Sequence, residues 1–177
     1  MAVLRGLWVR GRGLTEPGAV RCRSGPGRVL LIGMLVSLAC GRADDHLRPD
    51  AMLRDSLGLG DDDRVHRIWL ASVANNERIE PDRVEIRQGD YVEFVTEDRR
   101  VHAVAFALDS LSLPASEFLS QSGQQGSPPL VDAGARFVVS FTGAPTGRYP
   151  FVVVGNGAPG RGLVVVSEAS RRESYEH

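Results

Sequence analysis

Val84-Glu-Ile-Arg-Gln-Gly-Asp-Tyr-Val-Glu-Phe-Val95 alternates apolar and polar residues on both sides of Gly89-Asp90. A period of two over four to six residues is the pattern of a half-buried strand. Gly accepts positive φ and Asp bonds its own backbone, so this stretch predicts two strands joined by a tight turn. Similar signals extend outward from it. Residues 65–73 form an apolar-leaning strand candidate, and 102–108 form another that opens on His102. Phe137, Val139 and Phe141 fall on one face of a strand over 136–141, and 149–154 and 163–166 are short β-branched runs. Glycine and proline punctuate 143–147 and 155–160, as turns require. Between Pro114 and Pro128 the alternation stops, and 115–121 predicts a short helix inside a long insertion. Six or seven short strands with one such insertion predict an all-β sandwich.

Upstream of the strands, residues 29–39 form an apolar run of eleven with Arg28 on its flank. A bilayer span needs about 20 apolar residues, so the run has the size of a signal-peptide core instead. Ser37-Leu-Ala-Cys40-Gly41 follows and resembles the bacterial lipobox. The resemblance implies cleavage before Cys40 and lipid on its sulfur. The chain holds two cysteines, Cys22 and Cys40. One falls in the removed leader and the other carries the lipid, so the folded part has no free thiol and no disulfide. The expected organisation is a targeting segment over 1–39, a lipid anchor and acidic tether over 40–63, a domain over 64–167 and a polar tail over 168–177. A turn or two of helix fits residues 51–57 within the tether, whose charges are expected to extend it. The expected location is the bacterial cell envelope, periplasmic or on the outer face, held to the membrane through Cys40.

All 21 basic residues are arginines, and six of them precede residue 40. The remainder has 15 arginines against 21 acids, a net of −6. That balance offers no clustered basic face for nucleic acid. No Gly-x-Ser-x-Gly elbow is present, and the glycine-rich stretch 155–162 joins two strands where a phosphate-cradling loop would open a helix. No enzymatic activity is expected.

Residues 84–95, His102-Ala-Val, Gly147-Arg-Tyr-Pro-Phe151 and Gly160-Arg-Gly-Leu-Val-Val-Val166 stand in an order that resembles the cupredoxins, the plastocyanin-like blue copper proteins. The resemblance spans roughly residues 65–166 and implies a cupredoxin-like Greek-key β-sandwich. His102 matches the family's first copper ligand. The cysteine ligand's place falls on Val153, the second histidine's on Asn156, and the weak axial methionine's near Arg161. Blue copper needs a thiolate and two imidazoles. Val153 has no lone pair, Asn156 is a poor donor and Arg161 brings positive charge to a cation site. The expectation is therefore a binding or structural module with no cofactor. Its partner would be an envelope protein or a small ligand, met by the insertion 111–130 and by a polar patch of His102, Asn156 and Arg161. The alternative is a copper protein, for electron transfer or copper handling, with a non-standard set such as His102, His66 and Asp98. A buried, hydrogen-bonded His102 is the plainer reading of that residue.

Overall fold

A computed structural model of the chain describes residues 45–169. Cys22, Cys40 and His177 lie outside the described residues, so the expected leader and lipid site do too. Eight strands form two four-stranded sheets. Sheet 1 has the order β2-β1-β4-β6, with β1 Val65–Val73, β2 Asn76–Glu80, β4 Tyr91–Thr96 and β6 Arg136–Ser140. Sheet 2 has the order β3-β8-β7-β5, with β3 Arg83–Arg87, β5 His102–Phe106, β7 Gly147–Gly155 and β8 Gly160–Ser167. The expected all-β sandwich is what the chain forms.

The alternation in the sequence produces this. Val84 and Ile86 of β3 turn inward from sheet 2, and Val92 and Phe94 of β4 turn inward from sheet 1, all nearly or fully buried. The Phe151 ring meets Phe94 edge-on at 5.0 Å, and Tyr149 meets Phe141 edge-on at 5.3 Å. Such contacts favour one packing over its alternatives. The Tyr149 hydroxyl donates to the Pro145 carbonyl at 2.7 Å, and burial pushes its pKa up to about 12.

Two local expectations are corrected. The turn at Gly89-Asp90 exists, but it joins the sheets and makes no hairpin: β3 pairs in parallel with β8, and β4 pairs in parallel with β1. Asp90 secures this corner. Its carboxylate accepts from the Arg87 amide at 2.9 Å and lies 3.0 Å from His66 Nε2. Burial opposes its ionisation, but the His66 and Arg87 donors hold its pKa below the usual carboxylate value. The second correction is β2, which the sequence did not announce. It follows a turn at Ala74-Asn75, both at positive φ, and pairs antiparallel with β1.

The insertion carries α2, Leu113–Gln121, with Ala115 and Leu119 buried and Phe118 stacked on Phe141. Its return stretch lies along β5: His102 and Leu130 exchange backbone hydrogen bonds at 2.9 and 2.8 Å, and the Ser127 amide donates to the Val104 carbonyl at 2.8 Å. This part of the insertion covers a sheet edge that would otherwise present unpaired backbone groups.

The expectation of an extended tether fails over much of its length. Asp50 caps α1, Ala51–Leu57, by accepting from the Leu53 amide. Leu53 and Leu59 are buried with Val65, Tyr91 and Val138 on the outer face of sheet 1. Beneath this strap Glu93 has a wholly enclosed side chain, paired with Arg67 at 2.8 Å and with Arg136 at 2.9 Å. Arg136 also pairs with Asp50, and Arg67 donates to the carbonyls of His46 and Arg48. Acidic composition suggested solvation, but Asp50 and two leucines have partners on strands far along the chain. Among the described residues no helix is long and apolar enough to cross a membrane.

Truncating a buried leucine costs about 2–5 kcal/mol, whereas a solvated linker position costs within about 0.5 kcal/mol. Leu53→Ala is expected to cost about 2–3 kcal/mol in urea unfolding, and a value near zero would return residues 49–59 to the status of a linker.

Candidate functional site

Parity along β5 turns His102, Val104 and Phe106 inward, and His102 has no solvent exposure. Both ring nitrogens meet carboxylates. Nδ1 lies 2.7 Å from Glu77 Oε2 and Nε2 lies 2.8 Å from Asp98 Oδ1. Glu77 is the second residue of β2, opposite Ser72 of β1, and its side chain is fully enclosed. Asp98 lies in the turn between β4 and β5. Ser72 binds both acids, its amide donating to Asp98 at 2.8 Å and its hydroxyl to Glu77 at 2.9 Å.

The proton count follows from these contacts. A neutral imidazole has one N–H and donates to one carboxylate only. Burial opposes ionisation of Asp98, but the amides of Ser72 and Arg100 and the His102 ring outweigh it and hold its pKa at about 2. Asp98 is thus an acceptor at neutral pH. The Glu77 contact then needs one further proton, on the ring or on the acid. In either state neither ring nitrogen is left with a free lone pair.

The turns above the ring pack shut. The Glu77 amide donates to the Ala158 carbonyl at 3.0 Å, and the Ala158 amide to the Asn75 carbonyl at 2.9 Å. A side chain at Gly155 would collide with the Glu77 carboxylate and the Val101 carbonyl, and one at Gly157 with the Asn75 carbonyl. Glycine at these two positions lets the β7–β8 connection lie directly on the β1–β2 turn.

The other residues singled out from sequence separate. Val153 is buried in β7 between Val104 and Gly160. Asn156 and Arg161 are exposed. Arg161 borders a surface depression of about 260 Å³ with Arg78, Ile79 and Asp82. The expected patch of His102, Asn156 and Arg161 is therefore not one surface, because inward strand parity encloses His102. Of the set His102, His66 and Asp98, the first and last touch. His66 bonds Asp90, six residues from Ser72 along β1, which is about 20 Å of strand. Among the described residues no group of three or more His, Cys, Asp or Glu side chains has the geometry to hold a metal ion. One imidazole with both nitrogens engaged, two acids and a valine do not fit a blue copper centre.

Glu77 and Ser72 were not found from sequence. The signal for Glu77 was present: Asn75 closes a turn, and alternation from there sets residues 77 and 79 inward. Glu93 was hidden more deeply, since an acid on an alternating strand reads as solvent-facing.

No family model and no curated protein matches the chain. Solved structures do. A purple cupredoxin from Nitrosopumilus maritimus is similar at 21% identity over 58% of this chain and 99% of that one, with a TM-score of 0.38. An oxidised amicyanin mutant is similar at 18% identity over 63% and 88%, with a TM-score of 0.41. A fern plastocyanin mutant is similar at 17% identity over 57% and 99%, with a TM-score of 0.42.

Asp98 sets a pH dependence. Its folded pKa of about 2 lies below the ordinary 3.8, so its stabilisation is complete above that ordinary value and lost as pH falls toward 2. Asp98→Asn is expected to lower the urea midpoint at pH 6, with the gap to wild type narrowing down to pH 2. A gap constant across that range would remove Asp98 from the network.

Proposed function

We propose that the chain is an exported, lipid-anchored, cupredoxin-like module that acts by binding or as structure, without a blue copper centre and without catalysis. The observation that carries this reading is the closed Glu77–His102–Asp98 cluster. In the cupredoxin resemblance His102 is the residue that would face a metal. Here its two nitrogens are used internally, and the resemblance assigns the thiolate's position to Val153. The polar groups at that end serve packing, and the exposed residues Asn156 and Arg161 remain for contact with an envelope protein or a small ligand. The lipid anchor rests on the order of charge, apolar run, small residue and Cys40 in the sequence.

Expression of the full chain in a bacterial host, followed by copper(II) and a chelator wash, tests the first half. The expected protein is colourless and holds well under one copper per chain, with no change on His102→Ala. An intense blue absorption band would overturn the reading. Tight colourless copper lost on His102→Ala would move the function to copper handling.

Radiolabelled palmitate tests the second half. Cys40→Ser is expected to abolish incorporation into the protein and to release it from the membrane fraction. Labelling equal to wild type would reject Cys40 as the anchor.

A further inference from the structure

The strap changes what a lipid on Cys40 would do. If residues 41–63 were extended, the domain would stand as far as about 80 Å from its anchor, at roughly 3.4 Å per residue. His46 and Arg48 instead have their carbonyls on Arg67, and Asp50 is held by Arg136. Between Cys40 and His46 there are five residues, so the point where the chain leaves the domain stays within about 20 Å of the anchor. That point is on one side of the molecule. His46 and Leu47 line a depression with Trp69 and Pro81, on the outer side of β1.

The same side exposes apolar side chains among its charged ones. α1 buries Leu53 and leaves Met52 60% and Leu57 49% exposed. Trp69 is 41% exposed beside the strap's start. Tryptophan with an apolar body and a polar N–H favours the headgroup layer of a bilayer, and apolar residues on a helix at a membrane surface embed shallowly there.

We propose that the domain lies directly against the bilayer through the strapped face of sheet 1, with phospholipid headgroups as the partner of Trp69, Met52 and Leu57. This rests on the lipid-anchor reading given above. The outer face of sheet 2 then points to the aqueous phase. The domain is held close and oriented, where a solvated tether would let it swing.

The leader contains Trp8, so a protein cleaved before Cys40 has Trp69 as its one tryptophan. Lipidated protein from the full chain is reconstituted into phosphatidylcholine/phosphatidylglycerol vesicles carrying a dansyl headgroup lipid, and energy transfer from Trp69 is read. A second protein carries a 20-residue Gly/Ser insert after Arg42, which lengthens the tether and leaves the docked residues intact. Its anchor-to-domain distance rises to about 28 Å root-mean-square, so transfer is expected to fall about twofold or more. A third, Met52→Ser with Leu57→Ser, changes only exposed side chains and is expected to lower transfer while staying vesicle-bound. Transfer from the Met52→Ser/Leu57→Ser protein equal to that of the unaltered protein, with both bound, would overturn the apposed face and leave the anchor standing, whatever the insert does. Vesicle binding no greater than that of Cys40→Ser would remove the anchor itself, and the apposed face with it.

Discussion

The contact between His102 and Glu77 constrains the rest of this structure. Two polar side chains with no exposure lie 2.7 Å apart at one end of the sandwich. Taking such groups out of water costs several kcal/mol each, and their attraction offsets this only when the remaining donors and acceptors are also satisfied. That requirement accounts for the neighbourhood. Ser72 supplies a hydroxyl to Glu77 and an amide to Asp98, Asp98 takes the second ring nitrogen, and the glycines at 155 and 157 let the loop above close without a side chain in the way. Removing one partner would leave the other buried and unpaired, the costliest change such a site can undergo. This end of the sandwich is closed by the protein's own hydrogen bonds.

Glu93 repeats the device on the outer face of sheet 1, with guanidinium groups in place of imidazole. Arg67 uses Nε for Glu93 and its two remaining nitrogens for the carbonyls of His46 and Arg48. Arg136 bridges Glu93 and Asp50 with one nitrogen. A lysine offers three donors at a single point, and it does not span partners this far apart. An arginine-only composition therefore suits a strap held by carbonyls and carboxylates on several strands. The strap also covers Val65 and Tyr91, which the outward parity of their strands would otherwise expose.

The division between what the sequence disclosed and what it hid follows interaction range. Strand alternation is local, so Val84 to Val95 announced two strands and a turn, and residues 51–57 and 115–121 announced helices. Partner choice is not local. Nothing near Gly89 says that β3 and β4 belong to different sheets, since β3's partner lies some eighty residues later. Asp50 binds Arg136 across 86 positions, and no composition window joins them. For the site, His102 was legible from its place in a recognisable order, and a buried hydrogen-bonded histidine was the plainer expectation. Its acids divided. Asp98, four residues away, was considered as a neighbour. Glu77 was passed over, because a charged residue in Asn-Glu-Arg-Ile-Glu reads as loop until the turn at Asn75 sets the parity.

All of these polar locks meet β1. His66 near its start holds the Asp90 corner, Arg67 holds Glu93 and the strap, and Ser72 near its end holds both acids of the His102 cluster. The strand is internal to its sheet, paired with β2 on one side and β4 on the other, so its backbone is fixed by two ladders. Side chains rooted there have little freedom to drift, which keeps three charged networks in register with apolar packing on both faces. These contacts tie loops and the strap to the core. In this chain an internal strand carries polar residues near both of its ends, and each draws in a segment that apolar burial alone would leave loose.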